Sequence, residues 1–410
     1  MKKSNFSGKY SIVFAFFWFI CIVVSHGQDF RQSPLDSLYA HYERSISNKT
    51  LAGVETLIII NDSVVWHQAQ GFSDVAANTS LQLNSIYYIQ SMTKPIISVA
   101  VMQLVERGFL RLDDPIEMYI PEAKNLRVAK NPDLGLDSPT EKVNRSLTIL
   151  DLLTHTSGLS HGLGSSKLDQ QLFKALYDET LNYRSHNSLE DRVFTLLTFP
   201  LVAQPGTKWY YSAGADILAL ILQRVSKQPI PMYLRENIFD PLEMNNTGYN
   251  LNELQSQRVM KLHILNEKNN IKRNEKQVPT SGNTIYGGTH SLFSTALDYA
   301  QFCLMILHNG TWNGAKILEA ETVSNIRTNH TADLYNEQGA GFGLGFSLIL
   351  IPEKMNRPGG VGQLQWGGYF STHFFIDPSH KAIGITLTQQ MPGGEDIITP
   401  FQNEIYKALN

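Results

Sequence analysis

The sequence has 410 residues, of which 42% are apolar, and a formal net charge of −3 at pH 7. A chain of this length can bury a substantial core, either as one large domain or as two intertwined ones. A near-neutral balance without a block of five or six like charges argues against a nucleic-acid partner.

The first 27 residues have the layout of a secretory signal peptide. Lys2, Lys3 and Lys9 precede the apolar run "SIVFAFFWFICIVV", and small residues follow in "SHGQ". The run is shorter than the roughly 20 residues that a membrane-spanning helix needs. We therefore expect export to the periplasm or the medium, with a mature start near Gln28 and only transient membrane contact. An uncleaved anchor is the alternative.

Cleavage there would leave one cysteine, because the chain contains only Cys21 and Cys303. The mature chain could then form no internal disulfide. Cys303 lies in the apolar stretch "DYAQFCLMIL" and is expected to be a small buried hydrophobe. The histidines form no H-E-x-x-H pattern and no cysteine pair is present, so we predict no metal site.

The predicted elements run from strands through helices back to strands. An amphipathic helix over 35–48 precedes "ETLIIINDSVVWHQAQGFSD" (55–74), which predicts two strands joined at Asn61-Asp62. Periodic apolar segments then predict helices; these lie at 95–107, 146–155, 166–181, 213–227 and 295–310. Three strand candidates and a closing helix complete the chain, at 342–351, 363–377, 381–390 and 399–410.

This order predicts an α+β fold in which both chain ends build one antiparallel sheet flanked by helices. The sheet subdomain would comprise about 35–90 and 286–410. An inserted, mainly helical subdomain would comprise about 91–285, and the two together form one domain over 28–410. A cleft between two such subdomains is a common place for a small-molecule site.

A serine and a lysine stand three residues apart at the start of the first long helix, in "YYIQSMTKPIISVAVMQLVERG" (87–108). Pro95 belongs in a first helical turn because it has no N–H to donate, so the helix should begin near Ser91. Residues at i and i+3 share a helix face, which brings Lys94 next to Ser91. Desolvation would lower the pKa of Lys94 and let its neutral amine take the serine proton. An exposed lysine beside an ordinary helix cap is the alternative.

The segment "SMTK" at the start of a buried helix resembles the nucleophile motif of the serine β-lactamase and penicillin-binding-protein superfamily. Further segments resemble the class C β-lactamase-like branch, in the same order along the chain. These are "LLTHTSGL" (152–159), "PGTKWYYSAGADILALIL" (205–222), "GGTHSLFSTALDYAQFCLMILHNG" (287–310), "GFGLGF" (341–346) and "QWGGYFSTHFFIDP" (365–378). The resemblance covers about 35–405 and implies a β-lactamase/transpeptidase-like fold with no cofactor.

The resemblance also implies roles for individual residues. Ser91 would be the nucleophile and Lys94 its base. Tyr211 matches the family's motif tyrosine and would be a second base that passes a proton to the leaving group. The backbone N–H groups of Ser91 and Tyr369 would form the oxyanion hole.

Two positions depart from the family's pattern within the expected substrate-binding set of Ala213, Trp366, Gly367 and Gly368. Ala213 stands where the family has an asparagine that binds a side-chain amide of a β-lactam. Trp366 stands where it has a lysine or histidine, so no cation is predicted for a substrate carboxylate. The two glycines would let substrate approach the strand closely. Loss of a charge-assisted contact of about 1.5–3 kcal/mol should weaken penicillin recognition, which favours the esterase-like members.

A second serine pattern, "GLSHG" (158–162), matches the G-x-S-x-G nucleophile elbow around Ser160. An elbow needs a preceding strand, whereas the spacing of the preceding apolar residues is helical, so we do not predict one. His155 and Ser157 are expected to form a hydrogen-bonded turn at the end of that helix. Trp209 and Tyr210 are expected to be packing residues.

The leading hypothesis is an exported serine hydrolase that cleaves a small ester or amide through an acyl-serine intermediate. A β-lactamase, DD-peptidase or D-amino-acid peptidase of the same fold is the first alternative. The second is a non-catalytic binding protein that keeps the scaffold without turnover.

Overall fold

The computed structural model describes residues 31–177, 186–335 and 337–409. The predicted signal peptide, residues 1–27, lies outside these ranges, as does the end of the helix predicted to reach 181. The α-helices are α1 (Gln32–Ser47), α2 (Thr93–Glu106), α3 (Ile149–Leu153), α4 (Lys167–Leu176), α5 (Leu189–Thr198), α6 (Gly214–Ser226), α7 (Ile230–Leu234), α8 (Glu253–Ser256), α9 (Ala296–Leu307), α10 (Ala320–Ile326) and α11 (Glu395–Leu409). No helix within the described ranges combines the length and apolar character needed to cross a membrane.

The strands are short except for the first two. They are β1 (Gly53–Ile60), β2 (Ser63–Asp74), β3 (Thr79–Ser80), β4 (Tyr87–Tyr88), β5 (Arg127–Ala129), β6 (Thr140–Lys142), β7 (His263–Leu265), β8 (Ile271–Arg273), β9 (Phe293–Ser294), β10 (Thr311–Trp312), β11 (Ala315–Lys316), β12 (Ala340–Phe342), β13 (Ser347–Ile349), β14 (Leu364–Gly368), β15 (Thr372–Asp377), β16 (Ala382–Leu387) and β17 (Gln390–Met391).

Both chain ends contribute to the main sheet, as the sequence predicts. In the described residues the strand order is β12-β13-β14-β15-β16-β1-β2-β3, and every neighbouring pair is antiparallel. The two ends meet where β1 pairs with β16 and Leu57 lies opposite Ile385. Asn61 and Asp62 both have positive φ angles, 48° and 64°, as a two-residue hairpin turn requires. The predicted α+β fold is therefore confirmed.

Helices cover both faces of this sheet. The terminal helices α1 and α11 enclose one core, which includes Leu38, Tyr42 and Phe401. The larger core lies on the other face and joins α2, α6 and α9 to the sheet. Cys303 on α9 is fully buried there, in agreement with its predicted role.

Two segments predicted as single strands are hairpins. Residues 342–351 begin at the last residue of β12 and include β13, and the turn between these strands has Gly345 at a φ of +87°. Residues 363–377 contain β14 and β15, and the chain reverses over Tyr369 to Ser371, where Ser371 has a φ of +63°. The helix predicted over 146–155 is also shorter, because Thr148 caps its start and His155, with a φ of +57°, cannot continue it.

Candidate active site

Three polar groups from two distant segments converge at the start of α2. Ser91 lies in a single 3-10 turn before the helix, Lys94 is the second residue of α2, and Tyr211 lies in the loop before α6. The Tyr211 hydroxyl donates to Ser91 Oγ at 2.7 Å. Lys94 Nζ donates to the Tyr211 oxygen at 2.6 Å and to Ser91 Oγ at 3.2 Å. A lysine amine and a phenol thus both contact one serine hydroxyl.

Lys94 is buried, with 2% of its surface exposed. Burial disfavours the charged ammonium and holds the pKa of Lys94 well below its usual 10.5. The nearby Asp216 carboxylate raises this pKa, and the Arg192 guanidinium lowers it. The neutral amine is therefore populated at a lower pH than in a free lysine, and it can accept a proton from Ser91.

The pKa of Tyr211 is shifted in the opposite direction to that of Lys94. Burial raises the pKa of Tyr211 well above 10, while its hydrogen bond to Ser91 acts in the other direction. The phenol therefore keeps its proton near neutral pH. In this state it is a proton donor to the serine, and the amine of Lys94 is the group that can act as the base.

A buried ion pair is connected to Lys94 through the backbone of Thr289. Arg192 Nε contacts Asp216 Oδ2 at 2.7 Å, and each side chain is 1% exposed. The other oxygen of Asp216 accepts the backbone N–H of Thr289 at 2.8 Å, and the Thr289 carbonyl accepts Lys94 Nζ at 2.8 Å. The sequence reasoning missed this chain of contacts. Its one signal is an aspartate inside the apolar helix "AGADILALIL".

Replacement of Asp216 by asparagine should lower the free energy of unfolding by about 3–5 kcal/mol, because it leaves the Arg192 charge buried without its partner. Denaturant unfolding measures the change. Asp113→Asn is the matched control, since Asp113 pairs with Arg111 on the surface, where 72% of the aspartate is exposed, and its loss should have no measurable effect. Equal stability of the two variants would contradict a structural role for the buried pair.

The serine hydroxyl faces a cavity of about 460 Å³. Trp366, Gly367, Gly368 and Tyr369 form one wall beside Ser91. The sheet pairing ends at Gly368, opposite Thr372, so the N–H of Tyr369 lies beyond the last ladder pair. The described residues contain no group of three or more His, Cys, Asp or Glu side chains placed to hold a metal ion.

Gly368 allows close packing between the strand and the turn that carries Ser91. A Cβ atom at Gly368 would lie 2.5 Å from the Ile89 carbonyl oxygen and 3.1 Å from Gln90 Cβ. A side chain at this position would therefore push β14 away from the serine. Gly368 also lines the cavity, so the expected close approach of substrate stays a prediction, and the contacts that exclude a side chain here are within the protein.

Ala213 does not contact the cavity, so its predicted substrate contact is wrong. It is fully buried as the residue that precedes α6. Its N–H donates to the Ser160 carbonyl, and its own carbonyl accepts the Thr289 hydroxyl. Ala213 was predicted because it matches the position of a family motif. In the structure, packing at the start of α6 directs its methyl group into the core.

Three uncharged side chains, His161, Tyr177 and His290, line the cavity. The His161 ring stacks on Tyr211 with centroids 4.9 Å apart and planes at 7°. Burial, with a smaller effect of the Lys94 charge, holds the pKa values of both histidines well below 6.5. They are therefore neutral. Sequence reasoning named His161 only as the neighbour of Ser160 in the discarded pattern.

The discarded serine is structural. Ser160 is buried and donates to the Asp169 carboxylate. The element directly before it is the helix α3 and not a strand, which confirms that "GLSHG" is no nucleophile elbow. Ser157 forms the predicted turn by accepting the N–H of Leu159.

Two aromatic predictions need correction. His155 packs against Tyr211, with ring centroids 5.0 Å apart, and contacts Ser212 Oγ at 3.0 Å, rather than closing a local turn. Trp209 lines the cavity, although it was expected only to pack. Tyr210 is half-buried, and its hydroxyl donates to Asp169.

Comparisons with known proteins agree with this architecture. A family model described as Beta-lactamase matches residues 37–405. Protein Rv1367c of Mycobacterium tuberculosis is 30% identical over 83% of this chain and 86% of its own length. Esterase EstB of Burkholderia gladioli is 25% identical over 85% and 88%. The structure of EstCE1, a hydrolase with promiscuous acyltransferase activity, superposes with a TM-score of 0.78 at 21% identity, over 92% of this chain and 98% of that one.

Proposed function

The chain belongs to the Beta-lactamase family, and from that premise we propose that it is an exported serine hydrolase that cleaves a small ester or amide. One observation carries the proposal: Ser91 Oγ lies within hydrogen-bonding distance of both Lys94 Nζ and Tyr211 OH at the wall of an open cavity. Export rests on the sequence of residues 1–27 alone.

The reaction proceeds in two halves. Lys94 accepts the proton of Ser91 as its Oγ attacks the substrate carbonyl, and the N–H groups of Ser91 and Tyr369 stabilise the oxyanion. Tyr211 gives its proton to the leaving group and regains one from Lys94, to which it is already hydrogen-bonded. Water, or another acceptor hydroxyl, then attacks the acyl-serine and releases the acid or the exchanged ester.

Ester chemistry is favoured over β-lactam chemistry within the class C-like branch. Trp366 stands on β14 in place of a cation, and Ala213 is buried away from the cavity. The esterase name of the Burkholderia relative agrees with this choice. The Ser-x-x-Lys arrangement itself is common to both chemistries, so the difference lies in recognition.

A substrate panel tests the proposal. We expect the protein to hydrolyse 4-nitrophenyl esters of short acids with a higher kcat/KM than a chromogenic cephalosporin or a D-amino-acid amide. Ser91→Ala is the control for background activity. Faster turnover of the cephalosporin would favour a β-lactamase. The absence of turnover, together with failure of Ser91 to react with a fluorophosphonate, would favour a non-catalytic binding protein.

The pH dependence of ester hydrolysis should report Lys94. The base must be neutral, so kcat/KM should be lost as the pH falls through the Lys94 pKa and should reach its plateau well below pH 10.5. Asp216 raises this pKa, and Asp216→Asn should therefore move the acidic limb to lower pH. A limb that does not move, measured in the folded variant, would contradict the assignment of Lys94 as the base.

A further inference from the structure

An arginine lines the cavity that Ser91 faces. Arg357 lies in the loop between β13 and β14, and 17% of its side chain is exposed. Its Nη1 atom is buried and donates no hydrogen bond within the described ranges. Glu395, at the start of α11, approaches Nη1 only to 3.7 Å, and 73% of that glutamate is exposed. Charge-assisted N–H···O bonds are about 2.7–2.9 Å long, so this contact leaves the donor available.

A second unpaired donor lines the same cavity. Trp209 Nε1 is buried and has no partner in the part of the chain that the structure describes. Tyr335 also lines the cavity, and its ring lies 4.8 Å from that of Trp209. Burial raises the pKa of Tyr335 to about 12, and the charge of the neighbouring Arg357 acts in the other direction. Guanidinium and indole N–H groups can only donate, so a ligand that pairs with both must bring acceptor oxygens.

His373 adds a third polar group. It is 4% exposed, lines the cavity and lies opposite Gly367 on β15. Burial, followed by the charge of Arg357, lowers the pKa of His373 to about 3, so the ring is neutral. Its Nε2 atom has no partner among the described residues. The N–H of a neutral imidazole can donate a hydrogen bond to an anion without adding a second buried charge.

Two carboxylates, Glu337 and Glu395, line the cavity together with Arg357. An anion that binds Arg357 must displace Glu395, which costs little because that glutamate is mainly in water and its ion pair is long. The side chains of His161, Tyr177 and His290, which also line the cavity, are neutral. The guanidinium is therefore the group that can recognise a negative charge on a substrate.

We propose that the substrate of this enzyme carries a carboxylate, which Arg357 binds while Ser91 attacks the ester or amide carbonyl. The inference rests on the proposed function and specifies its substrate class. The expectation that Trp366 leaves β14 without a cation is unchanged. The cation comes from the neighbouring loop instead of the strand.

Two pairs of esters test the proposal and locate the carboxylate. One pair is 4-nitrophenyl pentanoate and the 4-nitrophenyl monoester of glutaric acid, whose acyl chains have equal length. The other is phenyl pentanoate and 3-carboxyphenyl pentanoate, which puts the charge on the alcohol. In at least one pair the charged ester should have the higher kcat/KM, and Arg357→Met should lower this charged-to-neutral ratio by about 10- to 100-fold.

Two further variants sharpen the result. Glu395→Gln removes the competing carboxylate and should raise the ratio. Arg111→Met, on the surface and 73% exposed, is the matched control and should leave it unchanged. A wild-type ratio at or below one in both pairs would overturn the proposal. So would an Arg357→Met variant that loses charged and neutral turnover equally, since that pattern indicates a structural role.

A binding measurement separates this inference from the proposed function. Calorimetry with Ser91→Ala should show tighter binding of a charged ester than of its neutral partner, and the double variant with Arg357→Met should lose this preference. The measurement needs no turnover. An inactive wild-type protein would therefore count against the proposed hydrolase, whereas equal binding of both esters would count against the carboxylate site.

Discussion

Replacement of Ser91 by alanine should lower kcat/KM for a 4-nitrophenyl ester by a factor on the order of 10³ or more, because no other group can form the acyl intermediate. Ser91 is 9% exposed, and its Oγ accepts hydrogen bonds from Tyr211 and Lys94. The methyl group of alanine fits the same space, so the thermal unfolding transition should change little. Initial rates and a thermal melt of the same preparation measure both effects.

Ser160→Ala is the matched control for this prediction. Ser160 is the serine of the G-x-S-x-G pattern, but it is buried and bound to Asp169, so the folded fraction of this variant should keep its turnover. Hydrolysis that persists in Ser91→Ala and disappears in Ser160→Ala would reverse the assignment of the nucleophile.

Replacement of Lys94 by methionine should lower kcat/KM by about 10²–10⁴-fold, the usual contribution of a general base. Methionine fills a similar volume and suits a helix as well as lysine does. Since Lys94 is only 2% exposed, removal of its polar amine should leave the free energy of unfolding unchanged or raise it. Activity and stability should therefore change independently, which a loss of folding could not produce.

Lys94→Arg distinguishes a base from a fixed positive charge. Arginine keeps the charge but does not lose its proton at accessible pH, so this variant should be as inactive as Lys94→Met. Substantial activity in Lys94→Arg would mean that the charge alone assists the reaction. The proton transfer proposed for Lys94 would then be wrong.

Local signals predicted the parts of the fold that depend on local geometry. Pro95 and the continuous apolar run after it place the start of α2, and Asn61-Asp62 places the first hairpin turn. The turn between β14 and β15 was missed because its two central residues, Tyr369 and Phe370, are aromatic residues that favour strands. Pairing with the rest of the sheet imposes that reversal, including the left-handed backbone at Ser371.

In the site, too, the contacts that depend on local geometry were predicted and those between distant segments were not. The proximity of Ser91 and Lys94 follows from helical spacing, and Tyr211 was found through a resemblance rather than through any local pattern. The contacts from Arg192 through Asp216 to Thr289 join three segments that only the fold brings together. A sequence pattern gives the identity of a residue at such a position, but not the partner or the direction of its side chain.

The most direct test of the proposed mechanism is to identify the residue that carries the acyl group. Wild-type protein is mixed with a 4-nitrophenyl ester, quenched in acid during turnover, digested and mapped by mass spectrometry. We predict that the peptide containing Ser91 carries the added mass of the acyl group and that this mass is absent from the Ser91→Ala variant. Ester turnover with the acyl group on another residue, or with no acylated peptide at any quench time, would contradict it.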